Sequence, residues 1–135
     1  MSQEGDFLAG KHCLVLDDEF LIALDIQHVL ETAGAQSVTS VSNADDAMTA
    51  IRAQRFDLAV LDVKLSGATR TSMTVAAALA EQGAVFVFLT GMRGEYDHTR
   101  QFPQAPVIEK PYQALTLLEA LRKTLARRDA SKPSP

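Results

Sequence analysis

Apolar and polar positions alternate along this chain in blocks, and the blocks predict its elements. Five short apolar runs stand out: His12–Leu16, Ser37–Val41, Leu58–Leu61, Val85–Leu89 and Pro106–Ile108. Leu14-Val15-Leu16, Leu58-Ala59-Val60-Leu61 and Val85-Phe86-Val87-Phe88-Leu89 are apolar at every position, not at every second one. Strands buried on both faces read this way, as in a parallel sheet covered by helices on either side.

The intervening segments carry helical spacing. Phe20, Leu21, Leu24, Ile26, Val29 and Leu30 form a candidate apolar stripe, and Gly34 follows where a helix stop is expected. Ser42 or Asn43 can cap a second helix through Ala47, Met48 and Ile51, with Asp45 and Asp46 suited to its positive N-terminal end. An alanine-rich stretch predicts a third helix over about 71–81. Leu115, Leu118, Leu121 and Leu125 predict a last one from Tyr112 to about Arg127. The segment Gly91–Phe102 is polar and holds Gly91 and Gly94, so the helix expected there is short or irregular. Strands alternating with helices give an α/β fold, an open doubly wound parallel sheet with helices on both faces. One domain is expected over 10–127, with flexible termini at 1–9 and 128–135, the latter beginning RDASKP.

Composition narrows the class. The 135 residues are 47% hydrophobic and 22% charged, enough apolar material for one core. Mean hydropathy is +0.01. The net charge of −4 and the lack of a basic block argue against nucleic acid as a partner. There is neither a signal-like start nor a run of about 18 apolar residues, so a cytoplasmic protein without a membrane partner is expected. Cys13, the single cysteine, lies inside an apolar run and reads as a small buried hydrophobe. His12, His28 and His98 lack metal-ligand spacing.

The chemistry gathers at the carboxyl ends of the strands, where open parallel sheets bind ligands. Asp17-Asp18-Glu19 follows the first strand, Asp62 ends the third, Thr90 the fourth, and Lys110 follows the fifth. Carboxylates held together repel one another unless a cation joins them, and an all-oxygen set with few donors suits Mg²⁺. Lys110 adds a compact positive charge and Thr90 a hydroxyl, which makes the set competent for phosphoryl transfer. Each residue also has an ordinary reading: a helix-capping pair, strand-end polar groups, a Lys-Pro loop.

With these residues in this order, the chain resembles the response-regulator receiver family over roughly residues 10–127. The acidic pair matches Asp17 and Asp18, the phosphoacceptor Asp62 within LDVKLSG, the switch hydroxyl Thr90, and the Lys-Pro pair Lys110-Pro111. The resemblance implies a flavodoxin-like five-stranded sheet in the order 2-1-3-4-5. It also implies Mg²⁺ bound directly by Asp18, Asp62 and the backbone carbonyl of Lys64, with Asp17 acting through water. The peptide bond before Pro111 is expected to be cis. Partners follow: a sensor histidine kinase or histidine phosphotransfer protein upstream, and a protein target downstream. The function implied is that of a stand-alone phosphoacceptor regulator, not an enzyme in the ordinary sense.

Some positions depart from the family pattern. Val107 stands where many receivers carry an aromatic switch residue. Phe88-Leu89-Thr90-Gly91-Met92, together with Pro106–Tyr112, resembles the FAT GUY subgroup, with Leu89 in place of its alanine. Lys64 and Met92 are expected to flank the path of an attacking water and to tune phosphate lifetime. Two other readings stay open. A phosphorylation-independent pseudo-receiver is kept alive by Val107 and Lys64. An aspartyl phosphatase needs an acidic residue two places after its nucleophile, and Lys64 occupies that place.

Overall fold

The computed structural model describes residues 6–63, 68–91 and 102–131. Its elements, in chain order, are β1 (His12–Leu16), α1 (Phe20–Thr32), β2 (Ser37–Val41), α2 (Ala44–Ala53), β3 (Leu58–Val63), α3 (Ala68–Glu81), β4 (Val85–Thr90), β5 (Val107–Glu109) and α4 (Ala114–Ser131). All five apolar runs are strands. They form one parallel sheet in the order β2-β1-β3-β4-β5, the doubly wound arrangement expected. Most of the Gly91–Phe102 segment, where a fourth, irregular helix was expected, lies outside the described residues.

The sheet is buried on both faces, which explains runs with no polar alternation. One face packs Cys13, Val15, Leu58, Val60, Val87 and Leu89 beneath α1 and α4; the other packs Leu14, Leu16, Ala59, Leu61, Phe86 and Phe88 beneath α2 and α3. The alternation along β4 is plain: Val87 and Leu89 face one layer, Phe86 and Phe88 the other. Leu8 is fully buried and its N–H donates to the Ala33 carbonyl at 3.1 Å, so packing against the core begins before β1.

Helix ends follow local chemistry. The Asn43 side chain accepts from the Asp46 N–H at 2.8 Å, capping α2, with Asp45 and Asp46 in the first turn. Gly34 takes φ +100° just after α1, a conformation that L side chains rarely adopt. At the far end of α2, the Gln82 amide donates to the Ile51 and Gln54 carbonyls while its oxygen accepts from the Phe56 N–H.

Two apolar stripes are phased differently from the sequence reading. In α1 the buried positions are Ala23, Ile26, Val29 and Leu30, while Phe20, Leu21 and Leu24 are exposed. In α4, Leu117, Leu121 and Leu125 are buried and Leu115 is exposed. At each corrected position a large side chain sits in the first turns, and the core is met two or three residues further on.

Candidate functional site

Strand register assembles the site. Leu16 pairs with Leu61 across β1 and β3, so Asp17 and Asp62, the next residue of each chain segment, emerge side by side. Val63 pairs with Thr90, and Thr90 with Glu109, which places Lys110 one residue beyond the same edge. The Lys110 N–H donates to the Thr90 carbonyl at 2.7 Å. The Lys110–Pro111 bond is cis, as expected.

Asp17, Asp62 and Thr90 are buried, at 3%, 5% and 1% exposure, while Asp18 is exposed. Carboxylate oxygens of Asp17, Asp18 and Asp62 lie within 4.8 Å of one another. Lys110 reaches into this group. Its Nζ stands 3.0 Å from Asp62 Oδ1, 3.4 Å from Asp17 Oδ2 and 3.0 Å from Glu19 Oε1. The structure thus brings together Asp17, Asp18, Asp62 and Lys110, with Thr90 buried at the end of the neighbouring strand. Lys64, Met92 and the Lys64 carbonyl lie outside the described residues. Gly91 and Pro111 are exposed beside the site.

The electrostatics are those of an under-neutralised cluster. Burial pushes the Asp17 carboxyl above its usual range and the Asp62 charge adds to this; the Glu19 N–H and Lys110 oppose it. For Lys110, burial pulls downward, but the bonds to Asp62 and Glu19 and the charges of Asp62 and Asp17 outweigh it, so its pKa rises and it stays an ammonium. The clustered carboxylates of Asp17, Asp18 and Asp62 face a single ammonium that Glu19 also shares, which leaves an excess of negative charge for a cation to neutralise.

The residues fit such an ion. Asp17 Oδ2 is buried and accepts no hydrogen bond among the described residues, although an ammonium lies 3.4 Å away. Such an atom is costly unless a cation or water completes it. The donors are all oxygen, two of the three carboxylates are buried and the third is open to solvent, a combination suited to Mg²⁺ that keeps part of its water shell.

Several functional contacts were not read from the sequence. Glu19, third in the acidic run, holds Lys110 Nζ from the solvent side. The buried Ser72 hydroxyl of α3 donates to the Asp62 carbonyl at 2.9 Å, fixing the backbone that presents the carboxylate. Asp17 Oδ1 accepts from the Glu19 N–H at 2.9 Å, so one oxygen turns the chain into α1 while the other faces the cluster. The acidic pair does not cap α1, whose N-cap is Glu19 with no side-chain cap bond; Asp17 shapes the turn ahead of the helix while serving the site.

Comparison with known proteins agrees with this geometry. A family model described as the response regulator receiver domain matches residues 13–122. The transcriptional regulatory protein YvrH of Bacillus subtilis (strain 168) is 30% identical over 121 residues, covering 88% of this chain and 51% of that protein; the chain spans about half the length of this curated relative. Among solved structures, SdrG of Sphingomonas melonis Fr1 is 31% identical with a TM-score of 0.71, over 93% of this chain and 99% of that one. A response regulator receiver protein of Sinorhizobium medicae WSM419 is 25% identical with a TM-score of 0.75, over 87% and 96%. A CheY-like receiver domain of Methanospirillum hungatei JF-1, at 22% identity and a TM-score of 0.78 over 90% and 98%, shares the fold.

Proposed function

The chain belongs to the response regulator receiver domain family of two-component signalling, and from that premise we propose that Asp62 accepts a phosphoryl group from a histidine kinase or histidine phosphotransfer protein. One observation carries the reading: Lys110 Nζ stands 3.0 Å from Asp62 Oδ1 beside a cluster of carboxylates that calls for a divalent cation. A carboxylate so placed is poised for in-line attack. The Asp62–phosphorus bond forms as the phosphohistidine phosphorus–nitrogen bond breaks, and the imidazole leaves with the electron pair.

Asp17, Asp18 and Asp62 would hold Mg²⁺, which when bound neutralises charge on the phosphoryl oxygens. Lys110 supplies the remaining positive charge, partly desolvated and 3.0 Å from Asp62. Ser72 keeps the nucleophile's backbone from yielding. Thr90, buried one strand away, is suited to follow a phosphoryl oxygen with its hydroxyl. Val107 is partly exposed on the edge strand, so relay through an aromatic at that position is not available to this chain. Phe88-Leu89-Thr90-Gly91 supports placing it in the FAT GUY subgroup. The output is proposed to run through protein contacts or onward phosphotransfer.

The test is titration with beryllofluoride in the presence of Mg²⁺, followed by amide NMR. Shifts at Thr90, Gly91 and Lys110 are expected in the native protein and absent in Asp62→Ala. A spectrum unchanged by beryllofluoride, with a kinase also failing to label the protein, would leave a phosphorylation-independent interaction module as the better reading.

A further inference from the structure

Lys110 does its work from an insecure position. It follows β5, a three-residue strand at the edge of the sheet, and precedes α4, which begins only at Ala114. Between them lies irregular backbone. Edge strands this short hold their flanking residues weakly, since only one neighbour contributes a ladder.

Tyr112, two residues on, supplies a second anchor. Its ring is half-buried against the core layer beneath α1 and α4, and its hydroxyl donates to Asp25 Oδ2 at 2.5 Å. Asp25 lies on α1, the helix whose entry is set by Asp17 and whose N-cap residue is Glu19. Lys110 contacts both of those acidic residues through Nζ. A closed circuit results: the acidic loop leads into α1, α1 carries Asp25, Asp25 binds Tyr112, and Tyr112 restrains the backbone of Lys110. Burial, then the bond to Asp25, push the Tyr112 hydroxyl above its ordinary pKa of 10.0, so it remains a donor at neutral pH.

Resting on the reading of Asp62 as phosphoacceptor, we infer that Tyr112 is a positioning residue, tied by its hydroxyl to Asp25 so that the Lys110 ammonium stays in register with the Asp62 carboxylate. The ring alone would pack equally well as phenylalanine. What the hydroxyl adds is a fixed distance between the loop bearing the cation and the helix that follows the acids. Lys110 is not a metal ligand in this scheme but a competitor for the Asp17 and Asp62 oxygens, so loosening the clamp slows phosphoryl uptake without weakening metal affinity.

The test compares Tyr112→Phe, Asp25→Ala, Asp25→Asn and the Tyr112→Phe/Asp25→Ala double variant with the native protein. Mg²⁺ affinity is measured by calorimetry, and the rate of uptake from a small acyl phosphate by intact mass. Tyr112→Phe is expected to slow uptake about tenfold, short of the ~100-fold that a misplacement of about 1 Å can cause, with Mg²⁺ affinity no weaker than native. Asp25→Asn retains an acceptor oxygen and should stay near the native rate. Asp25→Ala should match Tyr112→Phe, and the double variant should be no slower than either, as for two ends of one bond.

Uptake by Tyr112→Phe within about twofold of native, multiplying losses in the double variant, or metal affinity falling in step with rate would each overturn the clamp. A further readout stands apart from phosphorylation. Exchange of the Lys110 amide, which is bonded to the Thr90 carbonyl, should quicken about tenfold in Tyr112→Phe while that of Leu61 in β3 holds. If the native protein takes up no phosphoryl group, the proposed function fails. Amide exchange still decides the clamp in that case, unchanged Lys110 protection overturning it. Asp25 is exposed on its helix, so its variants carry the comparison even where Tyr112→Phe does not fold.

Discussion

Replacing Lys110 with methionine keeps an unbranched apolar stem and removes only the charge, which makes it the sharpest perturbation of the acidic cluster. The ammonium lies 3.0 Å from Asp62 and 3.4 Å from Asp17, both buried, and 3.0 Å from the exposed Glu19. At an effective dielectric of about 20, one pair at this distance is worth about 5–6 kcal/mol of gross attraction, most of it offset by dehydration of the two ions. Removing one member of a buried pair costs about 3–5 kcal/mol; with the Lys110 side chain retaining 16% exposure, the lower end applies, about 3 kcal/mol. The Glu19 contact, being open to water, adds little.

The assay is urea unfolding in chelator and in Mg²⁺. With a slope of about 2 kcal/mol per molar, the metal-free midpoint of Lys110→Met should fall by about 1.5 M. Mg²⁺ at about 100 times its dissociation constant returns about 2.7 kcal/mol. The variant should bind it more tightly than native, because Nζ no longer occupies the Asp17 and Asp62 oxygens, so the gap narrows in Mg²⁺. The pH dependence has a definite sign. Asp17 is already held above the usual carboxylate range, by burial first and then by Asp62; losing Lys110 raises it further. The penalty is therefore present above that raised pKa and disappears as pH falls through it. Equal midpoints without metal, or a gap that widens with Mg²⁺, would show that Lys110 does not neutralise the acidic cluster.

Other outcomes follow from the same structure. Gln82→Ala leaves the Ile51 and Gln54 carbonyls and the Phe56 N–H without their amide partner and should cost about 1–3 kcal/mol by urea unfolding. Asn43→Ala removes the α2 cap and should cost about 1 kcal/mol in the same assay, with metal affinity unchanged. Burial, then the Asp57 charge, push the Cys13 thiol up to about 12, so a thiol reagent at neutral pH should label the denatured protein and spare the native one. Because that folded pKa exceeds the ordinary 9.0, the Cys13 contribution to stability is full below pH 9.0 and is lost as pH rises towards about 12. Cys13→Ala should lose less stability than native across that window in alkaline unfolding curves.

The sheet was legible because double-sided burial leaves an unmistakable trace in Leu14-Val15-Leu16, Leu58–Leu61 and Val85–Leu89. The site was legible for a related reason: in a parallel sheet every strand ends at the same edge, so Asp17, Asp62, Thr90 and Lys110 had to meet. Helix phase was harder. Ala23 is a small residue that scarcely registers as apolar, yet it faces the core, while the bulkier Leu21 and Leu24 face solvent. Leucines on several sides of α4 likewise blurred which of Leu115 and Leu117 turns inward. The supports of the site had no local signature at all. Glu19 to Lys110 and Asp25 to Tyr112 join residues far apart in sequence, Ser72 to Asp62 joins α3 back to β3, and only the folded arrangement pairs them.

The central claim is that Asp62 accepts a phosphoryl group. Intact mass after incubation with a small acyl phosphate tests it most directly, in Mg²⁺ and in chelator, for the native protein and Asp62→Ala. A single phosphoryl adduct is expected on the native protein in Mg²⁺, none in chelator, and none on Asp62→Ala in either. An adduct that persists in Asp62→Ala, or that forms equally well without a divalent cation, would contradict it.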